Sequence, residues 1–300
     1  MPKISVIMNC YNGSNYLREA LDSVLNQTYG DWELIFWDNQ SIDDSKNIFN
    51  SYHDDRLKYY YSENHTMLYE ARNYAVNKAS GEFLAFLDVD DTWEFDKLEK
   101  QLPLFDNEMV GLVYGNYTMR DGIANSEHVM FDKILPTGWV TDDLLDDYTV
   151  GLLTIMVRRK AFDGLKKQFD SRFHIIGDFD LVLRMSTQWA LGCIQQPVAK
   201  YLQHGGNESF KHRDKFIEES LTWYSEMRYH PDFSEKKETY KKYNLYLYHH
   251  AVLRKIDGNQ IKRMFSIFTV LPLGVLKLKL LIIILLPKFL FYLISNSNRS

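Results

Sequence analysis

Four short apolar runs, separated by helical patterns and polar turns, dominate the first hundred residues of this 300-residue chain. Ile4–Met8, Trp32–Trp37, Leu57–Tyr61 and Glu82–Leu87 have the length and composition of buried strands. Between the first two, Tyr16, Leu17, Ala20, Leu21, Val24 and Leu25 fall at helical spacing, with Ser14 placed to cap them. Ser41 and Asp43 offer caps for a second helix, and Met67–Ala79 reads as a third, stopped by Gly81. Strand and helix alternating in this way predict an α/β fold, a parallel sheet with helices on both faces. Ligands of such sheets bind beyond the carboxyl ends of the strands. Here those ends read Asn9-Cys10-Tyr11-Asn12, Asp38-Asn39-Gln40-Ser41 and Asp88-Val89-Asp90-Asp91. All three are polar and two are acidic.

Composition narrows the function. With 45% apolar and 25% charged residues, the chain is neither disordered nor fibrous and can bury a core without covalent staples. A formal net charge of −5 argues against a nucleic-acid partner. Two cysteines, Cys10 and Cys193, build neither a disulfide framework nor a zinc knuckle, which suits a reducing compartment. Ile4–Met8 is too short for the apolar region of a secretory signal, and Asn9, Asn12 and Asn15 follow it at once, so the expected location is cytoplasmic.

The charge is unevenly spread. Residues 254–300 carry eight Lys/Arg and one acid, a balance of +7, which leaves −12 on residues 1–253. The segment 264–294 is strongly apolar, interrupted by Pro272 and Pro287 and studded with Lys277, Lys279 and Lys288. Only 14 residues separate the two prolines, fewer than the ~20 a spanning helix requires. A helix lying in the membrane interface, with its lysines reaching the headgroups of the anionic inner-membrane surface, fits this pattern. A hydrophobic helical hairpin packed on the protein itself is the alternative. The organisation along the chain is thus 1–100, a regular strand-and-helix half; 101–210, a less regular half with strands at Val110–Tyr117 and Leu152–Val157 and a helix over Asp178–Trp189; and 211–300, a helical extension.

Asp88-Val89-Asp90 is the centre of the chemistry. Two carboxylates one residue apart at the end of a buried strand are costly unless a cation neutralises them. A hard ion such as Mg²⁺ or Mn²⁺ takes oxygen ligands and bridges to phosphates. The tripeptide alone also suits a solvated loop; the strand Glu82–Leu87 ahead of it puts the acids at the ligand-binding edge of a sheet.

With that strand the sequence resembles the family-2 glycosyltransferases of bacterial surface-glycan type, which have the GT-A fold. Ile4–Gly13 matches the family's opening strand and loop, Tyr16–Tyr29 its first helix, and Ala71-Arg72-Asn73 with Ser80-Gly81-Glu82-Phe83 leads to Asp88-Val89-Asp90-Asp91 at the family's spacing. The likeness is strong over the first 100 residues and looser to about 210. It implies a Rossmann-like mixed, mainly parallel sheet, and an inverting transfer of a sugar from a nucleotide diphosphate donor, a UDP-sugar above all, to a hydroxyl of a glycan or lipid-linked glycan.

The same resemblance assigns roles. Tyr11 would stack on the base, beside Asn12, and Asp38 would accept from the base edge. The family's usual Asp-Asp-Gly-Ser reads Asp38-Asn39-Gln40-Ser41 here, and the missing glycine bears on the turn. Arg72 would contact the diphosphate or the base, Asp88 the ribose, and Asp90 the metal, Mn²⁺ or Mg²⁺, with His204 as a further metal or diphosphate ligand. Asp91, Trp93 and Asp180 are candidate sugar or acceptor contacts, and Trp139 also stands where it could border the sugar. The catalytic base falls on Asp178, in Ile176-Gly177-Asp178-Phe179-Asp180-Leu181, where Gly177 replaces the family's glutamate. A carboxylate at a helix N-terminus is kept ionised by the helix dipole.

Two other readings compete. Nucleotidyl transfer uses a similar sheet, carboxylates and Mg²⁺, but predicts a glycine-rich phosphate loop where Asn9–Ser14 has one glycine. A non-catalytic binding module is favoured by Gly177 alone, and the retained Arg72, Asp88, Asp90 and Asp178 weigh against it.

Overall fold

The computed structural model describes residues 1–122, 124, 126–233, 261–271 and 273–285. Among them nine strands form one sheet in the order β3-β2-β1-β4-β8-β6-β9-β5, with β7 paired to β6. The first four are β1 (Ile4–Cys10), β2 (Trp32–Asp38), β3 (Leu57–Tyr61) and β4 (Phe83–Phe86). They pair in parallel, β3 on β2, β2 on β1, and β1 on β4. The helices α1 (Leu17–Leu25), α2 (Ser45–Asn50) and α3 (Leu68–Val76) connect them. All seven residues of β1 and of β2 are buried, which explains why their sequences do not alternate.

Beyond β4 the sheet becomes mixed. The strand β5 (Thr92–Trp93) is followed by β6 (Val110–Asp121), β7 (Ser126–Val129), β8 (Met156–Arg158) and the long β9 (Ala190–Gln203). β8 runs antiparallel to both β4 and β6, while β6 and β9 are parallel with register shifts near Asn116. The stretch Leu152–Val157, expected as one strand, opens as a 3-10 turn over Leu152–Thr154 and becomes strand only at Met156. The Thr154 hydroxyl and amide both bond the Gly151 carbonyl, which curls the chain before it can enter the sheet. The strand expected at Val198–Leu202 is the end of β9.

Register aligns the functional ends. Cys10 lies beside Asp38 and Asp38 beside Tyr61, so the loops after β1, β2 and β3 leave the sheet at one level. Glu33 braces the opposite side. Its buried carboxylate accepts from the Ser5 hydroxyl at 2.7 Å and the Ser80 amide at 2.6 Å and pairs with Lys58. Although burial opposes its charge, those partners hold its pKa down to about 2. Gly81, expected to stop α3, has a tighter duty: a Cβ there would meet the Ser5 nitrogen at 2.6 Å.

The helix starts differ in detail from the sequence reading. α1 begins at Leu17 with no side-chain cap; Ser14 instead donates its amide to Asp43 Oδ2 at 2.9 Å. Asp43 does serve α2, its Oδ1 accepting from the Ser45 amide at 3.0 Å. Beyond α4 (Lys97–Gln101), α5 (Thr141–Asp146) and α6 (Arg159–Asp163), α7 (Gly177–Ser186) ends three residues short of Trp189 and buries Leu181, Val182 and Met185 as its pattern predicts.

The chain divides into two compact units, 1–219 and 220–300. Within the second, the described helices include Ile261–Val270 and Val275–Leu285. No helix among the described residues is long and apolar enough to cross a membrane. The tail expectation is therefore covered only over 264–271 and 273–285; residues 286–294, with Pro287 and Lys288, and the helical expectation over 234–260 lie outside the described residues.

Candidate active site

An open cleft of about 920 Å³ lies at the carboxyl ends of β1 and β4. The loop after β1 lines it with Tyr11, Asn12 and Gly13, the loop after β4 with Asp88–Asp91, α3 with Tyr69 and Arg72, the start of α7 with Asp178, and the segment after β9 with His204–Glu208. Residues from opposite ends of the sequence meet there because the sheet places β9 beyond β6 and returns its end to the loop after β4.

The acids have one buried guanidinium between them. Arg72, 2% exposed, donates Nη2 to both oxygens of Asp88, at 2.6 and 2.8 Å. It therefore faces Asp88 rather than presenting a free fork to a diphosphate. Asp90 Oδ2 receives Asn207 Nδ2 at 3.1 Å and lies 3.0 Å from His204 Nε2. Asp91 is buried and accepts from the Leu202 amide at 3.0 Å. Burial and then the neighbouring Asp88 push the Asp90 pKa up; burial, Asp90 and Asp88 push that of Asp91 well up. Three clustered carboxylates against one arginine are short of positive charge. The oxygens of Asp90, with the nearby imidazole of His204, fit a hard divalent cation.

Asp178 is set opposite this cluster at the head of α7. Burial raises its pKa, an effect that Arg72 and a hydrogen bond from Tyr69 partly oppose. The Tyr69 hydroxyl lies 3.0 Å from Asp178 Oδ1 and 3.1 Å from the Ile175 carbonyl. Its ring explains the glycine before Asp178. A Cβ at position 177 would stand 2.5–2.6 Å from three Tyr69 ring carbons. Gly177→Ala is accordingly expected to lower stability by about 1–3 kcal/mol through overpacking, outweighing the ~1 kcal/mol of helix propensity that alanine gains over glycine. Denaturant unfolding of Gly177→Ala with and without Tyr69→Ala measures this; the second substitution is expected to remove most of the loss.

Tyr11 is 54% exposed at the cleft and its ring lies 4.4 Å from that of His65, a tilted pair that forms an aromatic wall. Below it, Asn9 lines the cleft with both side-chain polar atoms buried and unpartnered. Such orphaned groups are rare and signal a polar ligand or water. Asp38 does not line the cleft. It is fully buried, accepting from the Ser41 amide at 2.7 Å and the Tyr59 hydroxyl at 2.6 Å. Gln40 makes that turn at φ 71°, the left-handed conformation that glycine adopts without strain, and anchors it with Nε2 on the Glu63 carbonyl at 2.8 Å. The turn thus keeps its shape without glycine.

Three other expected contacts lie outside the cleft. Trp93 is buried, its indole N–H bonded to the Leu153 carbonyl at 2.8 Å. Asp180 is buried and paired with Arg184 Nη2 at 2.6 Å. Trp139 is exposed on the surface and does not border the cleft.

The sequence profile described as "Glycosyl transferase family 2" matches residues 5–184. The chain belongs to glycosyl transferase family 2. A putative teichuronic acid biosynthesis glycosyltransferase of Bacillus subtilis, TuaG, is 34% identical to this family-2 chain over 165 residues, 53% of the chain and 63% of the relative. The Escherichia coli UDP-Glc:alpha-D-GlcNAc-diphosphoundecaprenol beta-1,3-glucosyltransferase WfgD is 34% identical over 166 residues, 55% of the chain and 64% of the relative. The match thus spans less than two thirds of either relative's length. Among solved structures, Staphylococcus aureus TarS residues 1–349 in complex with UDP superposes with a TM-score of 0.69 at 18% identity, over 90% of the chain and 81% of TarS. That likeness is one of fold, the GT-A architecture. In this family-2 chain the sequence reading missed Tyr69, His65, Asn207 and the orphaned Asn9 amide. Tyr69 stands three residues before Arg72, one helical turn away on the same side of α3, so the one could have been found from the other.

Proposed function

We propose that the chain is an inverting glycosyltransferase of surface-glycan synthesis, moving a sugar from a UDP-sugar to a hydroxyl of a glycan or lipid-linked glycan. The observation that carries this is the sharing of one cleft by Tyr11, Asp88, Asp90 and a half-buried Asp178. Tyr11 and His65 offer a face for the base, and Asn9 offers unpartnered polar atoms. Asp88, fixed by Arg72, suits the ribose. Asp90 and His204 would hold Mn²⁺ or Mg²⁺, which screens a diphosphate and stabilises the charge it takes on leaving. Asp178 accepts the proton of the acceptor hydroxyl as that oxygen bonds to the anomeric carbon and the bond to the diphosphate breaks. One displacement inverts the centre without a covalent intermediate. The names of one relative and one structural neighbour support the donor and the acceptor class: WfgD is named for UDP-Glc and a diphosphoundecaprenol acceptor, and TarS was crystallised with UDP.

Gly177 no longer favours a non-catalytic module, because the Tyr69 ring accounts for it. The decisive test is a thermal-shift panel of UDP, GDP, CDP and dTDP, each with and without Mn²⁺ or Mg²⁺. UDP with metal is expected to raise the melting temperature, by ~2.7 kcal/mol of stabilisation at one hundred times its dissociation constant. A response to another diphosphate overturns the uridine assignment; no response at all overturns the donor site.

The same proposal places the chain at the cytoplasmic membrane surface through its tail. On the helix Val275–Leu285 and just before it, Leu273, Leu278, Ile282 and Leu285 are exposed apolar residues, and its 11 residues span only about 16 Å. Deleting residues 264–300 is expected to move the protein from the membrane to the soluble fraction on ultracentrifugation; a truncated protein that stays fully membrane-bound refutes this role.

A further inference from the structure

At the cleft three side chains converge that the transfer reaction does not use. His174 precedes α7, Glu208 opens α8 (Glu208–Lys211), and His212 ends it. Glu208 Oε2 lies 2.8 Å from His174 Nε2 and 3.5 Å from His212 Nε2, and one ligand atom of each residue falls within 4.8 Å of the other two. Glu208 and His212 are four residues apart, so one helical turn presents both on the same side. The His174 main chain is fixed by its amide, which donates to Glu219 Oε1 at 2.8 Å. Lys211 is the neighbouring cation, 3.6 Å from the other Glu208 oxygen, Oε1, and it leaves Oε2 to the two imidazoles. Glu208 and His212 are 44% and 40% exposed, so an ion reaches them from solvent, while His174 is 14% exposed and gives the site a fixed inner wall.

We infer that His174, Glu208 and His212 form a second divalent-cation site of the zinc class. Two imidazole nitrogens and one carboxylate oxygen are the donor set that borderline ions such as Zn²⁺ and Co²⁺ prefer, whereas the carboxylate-rich loop at Asp88–Asp90, with the single imidazole of His204, suits Mg²⁺ and Mn²⁺. The present spacings need only a small outward shift of Glu208 to admit an ion at ~2.0–2.2 Å from each ligand. The ion would tie α8 to the segment ahead of α7. Asn207, next to Glu208, bonds Asp90, and Asp178 follows His174 by four residues, so the tie would join the two halves of the catalytic cleft. This site stands on its own geometry and does not depend on the sugar donor.

The test uses the full chain with Co²⁺ as the probe, in excess Mg²⁺ to occupy the carboxylate loop. The expected result is a single equivalent of Co²⁺ with visible d–d absorption, displaced by Zn²⁺. Both signals are expected to be lost in His212→Ala and in Glu208→Gln and kept in Asp90→Asn. His212 is substantially exposed, so its truncation leaves the fold intact, and far-UV circular dichroism checks that. The site is overturned if the wild type binds no Co²⁺, or if His212→Ala and Glu208→Gln bind it as the wild type does. Loss of Co²⁺ in Asp90→Asn alone also overturns it, by assigning the ion to the carboxylate loop.

Discussion

Asp178→Asn is expected to cut kcat by about 10²–10⁴-fold, the range that a general base supplies, with UDP and metal binding unchanged. The substitution keeps the shape of the side chain and an oxygen for the Tyr69 hydroxyl, so folding is preserved and the loss falls on proton transfer. Isothermal titration with UDP beside initial rates separates the two, and loss of donor binding would show that the residue serves the donor instead. The pH profile adds a sign. A general base at Asp178 works only when ionised, so kcat/KM is expected to fall as pH drops through its pKa. Burial raises that pKa, which puts the acid limb above the ~3.9 of a free aspartate. The Tyr69 hydrogen bond favours the carboxylate, so Tyr69→Phe is expected to move the limb to still higher pH. A purely structural tyrosine would alter stability and leave the limb in place.

Asp88→Ala carries the second large effect, and it falls on stability as well as on donor binding. Arg72 is 3% exposed at its side chain and cannot shed its proton, so removing Asp88 strands a buried charge. Breaking a buried pair from one side costs about 3–5 kcal/mol. Asp88 is itself 35% exposed, and the Tyr69 ring 4.9 Å from the guanidinium and the nearby Asp178 offer some compensation, so the lower end applies. A loss of about 3 kcal/mol lowers the melting temperature by roughly 6–12 °C in a domain of this size. Adding Arg72→Met removes the stranded charge, and the double variant is expected to be more stable than Asp88→Ala alone. If Asp88→Ala melts within a degree or two of wild type, the pair contributes nothing to the fold and serves only the ligand.

The parallel half of the fold was legible because β1 and β2 are buried on both faces and therefore read as unbroken apolar runs. The other half was not. β8 has three residues, too few for any period, and β9 passes through Pro197 and the paired glutamines Gln195 and Gln196, which obscure a 14-residue strand. Among cleft residues, Asp88 and Asp90 were visible because two costly acids end a buried strand, and Asp178 was visible only through the family resemblance. Asp38, Trp93 and Asp180 looked the same in sequence but spend their polar atoms internally, on Ser41 and Tyr59, on Leu153, and on Arg184. What separates the two groups is partner geometry across distant strands, which no local spacing encodes. The apolar, basic tail shows the same limit from the other side, since composition describes its surface chemistry but not what lies against it.

The interlock of Gly177 with the ring of Tyr69 also restricts how this chain can change. A single substitution that places a glutamate at position 177 meets the aromatic ring before it meets any substrate. Loss of the ring first would leave a void and a base without its hydroxyl partner. Each one-step route therefore passes through a damaged intermediate, and the two positions are heritable only as a pair. Packing alone thus makes this form of the site hard to leave.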